Sequence, residues 1–135
     1  MTAKEYLKQY EEAERRVYYL RAAYERERKQ IDLIRSPLGS DGIPHGSGIS
    51  NTVEERVLRL IEKAEKLIEA QYEAVRIEQD VLGVIMQVPG EKGSVLYERY
   101  INLKRWEDVA DIMHYSLRQI HNLHKEALQI VQRCI

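Results

Sequence analysis

The stretch WEDVADIMHYSLRQIHNLHKEAL, residues 106–128, decides how the C-terminal part of this chain folds. Its apolar residues recur at helical spacing on both sides of a break near His114, which predicts two helices that share one core. Ala110 is the small residue that lets the two helices cross closely, and Ser116 is placed to cap the second helix. The predicted shared core consists of Val109, Met113, Tyr115, Ile120 and Leu123. This pattern predicts a helix-turn-helix whose turn lies at His114.

The second of these helices is predicted to carry a polar outer face. Once the core positions are set aside, the residues that point outward are Leu117, Arg118, His121, Asn122 and Lys125. Arginine, asparagine and lysine suit base edges and phosphates, and leucine can contact a thymine methyl group. Ser116 at the helix start is expected to anchor a phosphate. The alternative is an ordinary solvated face. Such a face usually carries several acidic residues, whereas this helix has a single one, Glu126.

Upstream, apolar residues at alternating steps of three and four predict a long coiled-coil-like helix from about 3 to 35, with the pattern broken only at Glu27. Its seam is Ala3, Tyr6, Tyr10, Ala13, Val17, Leu20, Tyr24, Ile31 and Ile34. Because a single helix cannot bury such a seam, a partner helix is required. The tyrosines of this helix indicate a core or interface stripe, with a platform for stacking nucleic-acid bases as the alternative.

A second long helix is predicted over 53–87, antiparallel to the first. Thr52 and Glu55 have the spacing of a capping box at its start, and Pro89 ends it. Its apolar stripe is Val57, Leu60, Ile61, Ala64, Leu67, Ile68, Ala74, Val75, Val81, Leu82 and Ile85. A shorter helix is predicted over about 92–101, with Asn102 leaving it in a left-handed conformation.

The segment SPLGSDGIPHGSGIS, residues 36–50, separates the two long helices. Its four glycines and two prolines predict a loop over 36–51. A glycine-rich loop can present backbone N–H groups to an anion. However, no GKS or GKT follows to indicate nucleotide binding, so a connector is the preferred interpretation. The predicted domains are therefore a helical hairpin over 1–90 and the helix-turn-helix over 91–135.

The net charge of −1 conflicts with binding to a polyanion unless the positive charge is local. From His114 onward the chain has three basic residues (Arg118, Lys125 and Arg133) against Glu126. Attraction to phosphate is screened over about 10 Å, so a basic last helix can bind while acidic segments stay away. Few phosphate contacts imply weak binding by one copy, which favours a homodimer or recruitment through RNA polymerase.

Other chemistries are disfavoured by the sequence. His114, His121, His124 and Cys134 lack the spacing of a four-ligand zinc site, so no metal is expected. No nucleophile or cofactor motif occurs, which predicts neither enzyme activity nor a cofactor. A single cysteine excludes an internal disulfide and indicates a reducing, cytoplasmic setting. No apolar run approaches the roughly 20 residues needed to span a membrane.

The stretch VLYERYINLKRWEDVADIMHYSLRQIHNLHKEALQIV, residues 95–131, resembles the fourth region of bacterial sigma factors, which reads the −35 promoter element. Its matching residues are Val95-Leu96, Arg99-Tyr100, Trp106 to Ala110, Ser116, Ile120 and Ala127-Leu128. With the glycine-rich loop and the long helix after it, the chain is similar to small sigma-like regulators of phages and prophages of Gram-positive bacteria, the ArpU and RinA type.

The resemblance implies a sequence-specific DNA-binding transcriptional regulator of phage or prophage genes that acts with RNA polymerase. Three departures from the sigma pattern matter. His114 stands where glycine is usual, Arg105 stands where a capping Thr or Ser is usual, and Leu117, Arg118 and His121 replace Arg, Glu and Arg. Because base choice follows side-chain hydrogen bonding, we do not expect the ordinary −35 sequence to be the target.

The sequence thus predicts an all-α protein in which a long antiparallel helical hairpin precedes a C-terminal helix-turn-helix that binds double-stranded DNA. Two other functions remain open on the same fold. One is a protein-binding adaptor, in which the helix pair grips a polymerase subunit or another phage protein. The other is a component of phage DNA packaging.

Overall fold

A computed structural model describes residues 1–35 and 47–135 of the chain. Within these ranges the protein is all-helical and has no strand, which confirms the prediction of an all-α protein. The described α-helices are α1 (Ala3–Arg35), α2 (Ser47–Ile85), α3 (Gly90–Leu96), α4 (Trp106–Met113) and α5 (Leu117–Cys134). A π-helical segment, Tyr97–Ile101, follows α3 directly. Across residues 1–35 and 47–135, no helix combines the length and apolar character that crossing a bilayer requires.

The first helix has the predicted bounds, and a capping box fixes its start. The Glu5 backbone N–H donates to Thr2 Oγ1 at 3.2 Å, and the Thr2 N–H donates to Glu5 Oε2 at 3.0 Å. Each side chain therefore satisfies a backbone donor that the helix leaves unpaired. The Thr-x-x-Glu signature for this cap is present in the sequence.

The second helix begins earlier than predicted. It starts at Ser47 rather than at 53, so Thr52 lies inside the helix and the proposed capping box with Glu55 is wrong. No proline occurs between 47 and 52 to remove a backbone donor from these turns. The predicted loop over 36–51 is therefore helical from Ser47, and its residues 36–46 lie outside the described residues. The helix ends at Ile85 rather than 87.

The predicted third helix over 92–101 is in fact two segments, α3 and the π-helical segment. The Asn102 N–H donates to the carbonyl oxygen of Tyr97 at 3.1 Å, five residues back. This wider turn keeps Asn102 in the right-handed region at φ −81°. The left-handed residue is instead Leu103, with φ 55°, so the expected left-handed Asn102 is wrong.

Two compact units divide the chain. The C-terminal unit comprises Met1–Glu14 and Glu73–Ile135, and the central unit comprises Arg15–Tyr72. This grouping differs from the predicted division at residue 90, because the first turns of α1 and the last turns of α2 pack with α3, the π-helical segment and α5.

In the C-terminal unit, α1 and α2 run antiparallel. The Tyr6 hydroxyl donates to the carbonyl oxygen of Asp80 at 3.3 Å, and burial, with the charges of Glu14 and Glu78, raises the pKa of Tyr10 to about 12. A buried apolar cluster joins these turns to the rest of the unit. It contains Ala3, Leu7, Val81, Ile85, Val88, Leu96, Tyr100, Ala127 and Val131. The predicted antiparallel pairing is thus present at this end of the two helices.

In the central unit, Glu27 explains the break in the apolar seam of α1. Its side chain is buried at 8% exposure and lies 3.3 Å from Lys63 Nζ and 3.6 Å from Arg59 Nε on α2. One helical turn later, Arg56 Nη1 donates to Gln30 Oε1 at 2.7 Å. Residue numbers rise on α1 as they fall on α2, so the pairing is antiparallel here as well.

Candidate nucleic-acid interface

The connection between α4 and α5 takes three residues, and its first residue is left-handed. His114 has φ 60° and ψ 39°, as expected for a position where glycine is usual. The His114 N–H donates to the carbonyl oxygen of Asp111 at 3.3 Å, and the Tyr115 N–H donates to that of Ala110 at 3.1 Å. These two bonds form a Schellman motif, which satisfies the last carbonyl groups of α4.

Ser116 caps α5, as predicted. Its hydroxyl oxygen accepts the backbone N–H of Gln119 at 3.2 Å, and Gln119 Oε1 accepts the Ser116 N–H at 2.9 Å. At the start of α4, by contrast, Arg105 provides no side-chain cap, which confirms the expected defect. Arg105 Nε instead donates to Asp108 Oδ2 at 3.3 Å. Of the two helices, α5 therefore has the better-defined start.

The predicted core between α4 and α5 is confirmed. Val95, Val109, Ala110 and Ile120 are buried together, and Trp106, Met113, Tyr115 and Leu123 pack around them. Ala110 is only 6% exposed, as a small residue at a close helix crossing should be. This cluster holds the first half of α5 against α4 and α3.

The second half of α5 is held by a different group of residues. Ala127 and Val131 are fully buried against the ends of α1 and α2. In addition, the Ala3 N–H at the start of α1 donates to Gln132 Oε1 at 2.8 Å. One side of α5 is thus packed along its whole length, which leaves its opposite side as the outer face.

All six residues predicted to bind DNA are exposed: Ser116, Leu117, Arg118, His121, Asn122 and Lys125. Leu117, the apolar member, is 43% exposed. At 100° per residue, Arg118, Asn122 and Lys125 form a row along the outer face. The sequence interpretation missed Gln129 and Arg133, which are exposed and continue this row by two more turns. Extending the same helical spacing beyond Lys125 would have found them.

The cations of this row are not neutralised within the protein. Among the described residues, Arg118, Lys125 and Arg133 have no ion pair. Glu126, the acidic residue of α5, lies to one side of the row and its carboxylate is 3.2 Å from Lys92 Nζ on α3. The outer face therefore presents positive charge to solvent.

An aromatic cluster stands beside this face at the start of α4. The Trp106 ring lies 5.2 Å from the His121 ring and 4.5 Å from the His124 ring, centroid to centroid. The Arg99 guanidinium lies 4.7 Å above the Trp106 ring and donates to the carbonyl oxygen of Lys104 at 2.8 Å. A cation over an indole face is attracted by the negative electrostatic potential above the ring, which arises from the quadrupole of its π-electrons.

His124 is a buried polar residue rather than a ligand. It is 8% exposed, and its Nε2 lies 2.7 Å from the Tyr100 hydroxyl oxygen. Burial, with the charges of Lys4, His121 and Arg99, lowers the pKa of His124 to about 4, so the ring is neutral at pH 7. Burial also raises the pKa of Tyr100 to about 12. In the part of the chain that the structure describes, no three His, Cys, Asp or Glu side chains converge as metal ligands would.

No protein-family model, curated protein or solved structure matches this chain.

Proposed function

We propose that α4 and α5 form a DNA-binding helix-turn-helix and that the protein is a sequence-specific transcriptional regulator of phage or prophage genes. The observation that carries the proposal is the outer face of α5, an exposed row of arginine, lysine and amide side chains on a helix whose other side is fixed. In a helix-turn-helix, the second helix enters the major groove and its N-terminal residues contact base edges. The likeness of residues 95–131 to sigma region 4 supports the same role.

Each residue of the site has a proposed contact. Arg118 and Asn122 are suited to guanine and adenine edges, and Leu117 to a thymine methyl group. His121 and Lys125 lie beside them, close to where a base edge or a phosphate would stand. Ser116 is proposed to anchor a phosphate. Its hydroxyl lies 3.1 Å from Gln119 Oε1, so this contact requires the hydroxyl proton to leave the cap.

The charge of α5 limits the affinity of one copy. Arg118, Lys125 and Arg133 against Glu126 leave a balance of three minus one, or +2. Each phosphate contact steepens the slope of the logarithm of the binding constant K against the logarithm of the salt concentration by about 0.9. A helix that makes only two or three such contacts therefore binds weakly near physiological salt. The proposal therefore includes a second source of affinity, either a homodimer or RNA polymerase.

For the homodimer, α2 offers an apolar stripe in the central unit. Leu58, Ile61, Ile68 and Tyr72 follow one another at steps of three or four, apart from Glu65, and are about half exposed or more. A second copy is the occupant we propose, because pairing two helix-turn-helix units doubles the phosphate contacts. Sedimentation of the wild type and of an Ile61→Glu, Ile68→Glu variant tests this. A wild type that sediments as a monomer at the concentrations used for DNA binding would exclude the dimer.

The DNA-binding proposal is tested by selecting bound fragments from a genomic pool and measuring their affinity for two double variants. Arg118→Ala with Lys125→Ala should weaken binding by roughly 5- to 150-fold per residue that reads a base, and should flatten the salt dependence. Arg21→Ala with Lys66→Ala removes the same charge from exposed sites in the central unit and should leave binding unchanged. Equal curves for the two double variants would exclude α5 as the docking face.

The alternative functions give different results in the same experiment. A protein-binding adaptor would enrich no sequence from the pool, although it would still capture its partner from a lysate. A packaging component would co-purify with a nuclease-ATPase and would bind DNA without sequence preference. Enrichment of one sequence family, lost in the Arg118 and Lys125 variant, distinguishes the proposed regulator from both.

A further inference from the structure

The first turn of α1 lies directly against α5, far from it in sequence. The hydrogen bond from the Ala3 N–H to Gln132 Oε1 joins the two segments at 2.8 Å. Beneath it, Ala3 and Leu7 are buried in the same cluster as Ala127 and Val131. A hydrogen bond from the α1 backbone to the Gln132 side chain and an apolar core thus fix where the side chains of this turn stand relative to α5.

Lys4, the next residue, places a positive charge at this junction. Its side chain is exposed and forms no ion pair among the described residues. The neighbouring Glu5 keeps its negative charge, but its carboxylate is turned toward the Thr2 N–H, which it accepts in the cap of α1, and forms no ion pair with Lys4. The charge of Lys4 is therefore available to a ligand that approaches α5.

Lys4 stands on the His121 side of α5. After burial, the charge of Lys4 is the largest cause that lowers the pKa of His124, ahead of His121 and Arg99. Gln132, which accepts the Ala3 N–H, lies on the same side of α5 as His121 at 100° per residue, and the Arg99 guanidinium and the His121 ring both lie against Trp106. Together with the contact to Gln132, this places Lys4, His121 and Arg99 along one flank of the outer face.

The other flank of α5 is acidic. Glu126 lies on the opposite side of the Arg118–Asn122–Lys125 row from His121, and it lines a groove with Glu91 and Tyr115. The Tyr115 hydroxyl donates to Glu91 Oε1 at 2.5 Å. Only Glu126 of the two acids has a cation beside it, Lys92. With Lys92 paired to Glu126, this flank keeps the negative charge of Glu91, whereas Lys4 and Arg99 bring positive charge to the other flank.

From this asymmetry we infer that α1 takes part in DNA binding. When α5 lies in the major groove, Lys4 contacts a phosphate of the DNA strand that passes on the His121 side of the helix. The inference rests on the proposed function and extends it, since it fixes the side on which the backbone passes and adds the start of the hairpin to the interface. A strand on the other side would meet the Glu91 carboxylate, which repels phosphate at short range, while the charge of Lys92 is taken up by its pair with Glu126.

The test compares Lys4→Ala with Lys29→Ala, which removes an exposed lysine from the same helix in the central unit. Affinity for a fragment selected by the wild type is measured between 50 and 200 mM salt, the range in which phosphate contacts dominate the change. Loss of one contact should reduce the slope of log K against log salt by about 0.9 and weaken binding about 3- to 10-fold near 0.1 M salt. Lys29→Ala should behave as the wild type.

A second variant, Lys4→Glu, should reduce the slope further, and circular dichroism melting shows whether each variant is folded. Because a phosphate carries no sequence information, the loss should be equal on the selected fragment and on a mutated copy of it. An unchanged slope for both Lys4 variants, with binding lost in Arg118→Ala, would overturn this inference and leave the proposed function standing. A wild type that selects no fragment would overturn both.

Discussion

His124 makes the stability of the C-terminal unit depend on pH. In the folded protein its ring is buried beside Tyr100, and its pKa is lowered to about 4, with burial as the largest cause. In the unfolded chain a histidine has a pKa of about 6.5. Between these two values the unfolded chain binds a proton that the folded protein does not bind. The free energy of unfolding therefore falls as the pH falls.

The size of the effect follows from the two pKa values. Each pH unit between them contributes about 1.36 kcal/mol, so roughly 2 to 3 kcal/mol of stability is lost between pH 6.5 and 4 once partial solvent access is allowed for. All of this stability is present above pH 6.5. For a domain that is typically stable by about 5 to 15 kcal/mol, the loss is large enough to measure.

The assay is urea unfolding followed by circular dichroism across this pH range. Carboxyl groups also titrate near its lower end, so the informative quantity is the difference between the wild type and His124→Gln, which can still accept the Tyr100 hydroxyl. We expect the variant to be less stable at pH 7 and to lose less stability on acidification. Parallel pH curves for the wild type and His124→Gln would refute the reasoning.

Four further substitutions test local features of the same unit by urea or thermal unfolding. Ser116→Ala removes the cap of α5 and should lower the free energy of unfolding by about 1 kcal/mol. His114→Gly relieves a left-handed residue and should raise it by about 1 kcal/mol; a lower value would mean that the His114 side chain contributes to stability. Gly93→Ala places a Cβ against the carbonyl oxygen of Val88 and should cost about 1 to 3 kcal/mol. Gly83→Ala, whose Cβ meets no atom within 4 Å, should be neutral or stabilising.

The helix pair was predictable because its determinants are local. The small residue Ala110, the turn at His114 and the cap at Ser116 lie within seven residues of one another, and apolar spacing supplies the shared core. Backbone conformation and side-chain chemistry at these positions depend little on distant parts of the chain. For the same reason, the exposure of Arg118 and Lys125 could be read from the helical repeat.

Features that depend on alternative hydrogen bonding were not predictable. A π-helical turn and an α-helical turn place the apolar residues around Tyr100 at nearly the same spacing. Only the bond from Asn102 to Tyr97 distinguishes them and moves the left-handed residue to Leu103. The start of α2 at Ser47 was not predictable for a similar reason, because a Thr-x-x-Glu signature occurs both at helix starts and inside helices.

Contacts between distant segments were also beyond the sequence. The apolar spacing showed that α1 requires a partner, but it did not show that Ala3 and Leu7 would meet α5. Similarly, a histidine at position 124 could be a metal ligand or a polar surface residue as far as the sequence shows. Its burial against Tyr100 follows only from the packing of α5 on the π-helical segment. The role inferred for Lys4 depends on this long-range packing.

The bond between Ala3 and Gln132 joins residues that are 129 positions apart. During synthesis on the ribosome, the start of α1 emerges before α5, so its apolar side stays uncovered until α5 has been made. Until then, Leu7 and Val81 form an exposed apolar surface of the kind that chaperones bind. For the same reason, a fragment cut out at residues 91–135 would carry Ala127 and Val131 uncovered into solution. A minimal version of the C-terminal unit therefore has to retain both of its segments, residues 1–14 and 73–135, with a designed linker between them.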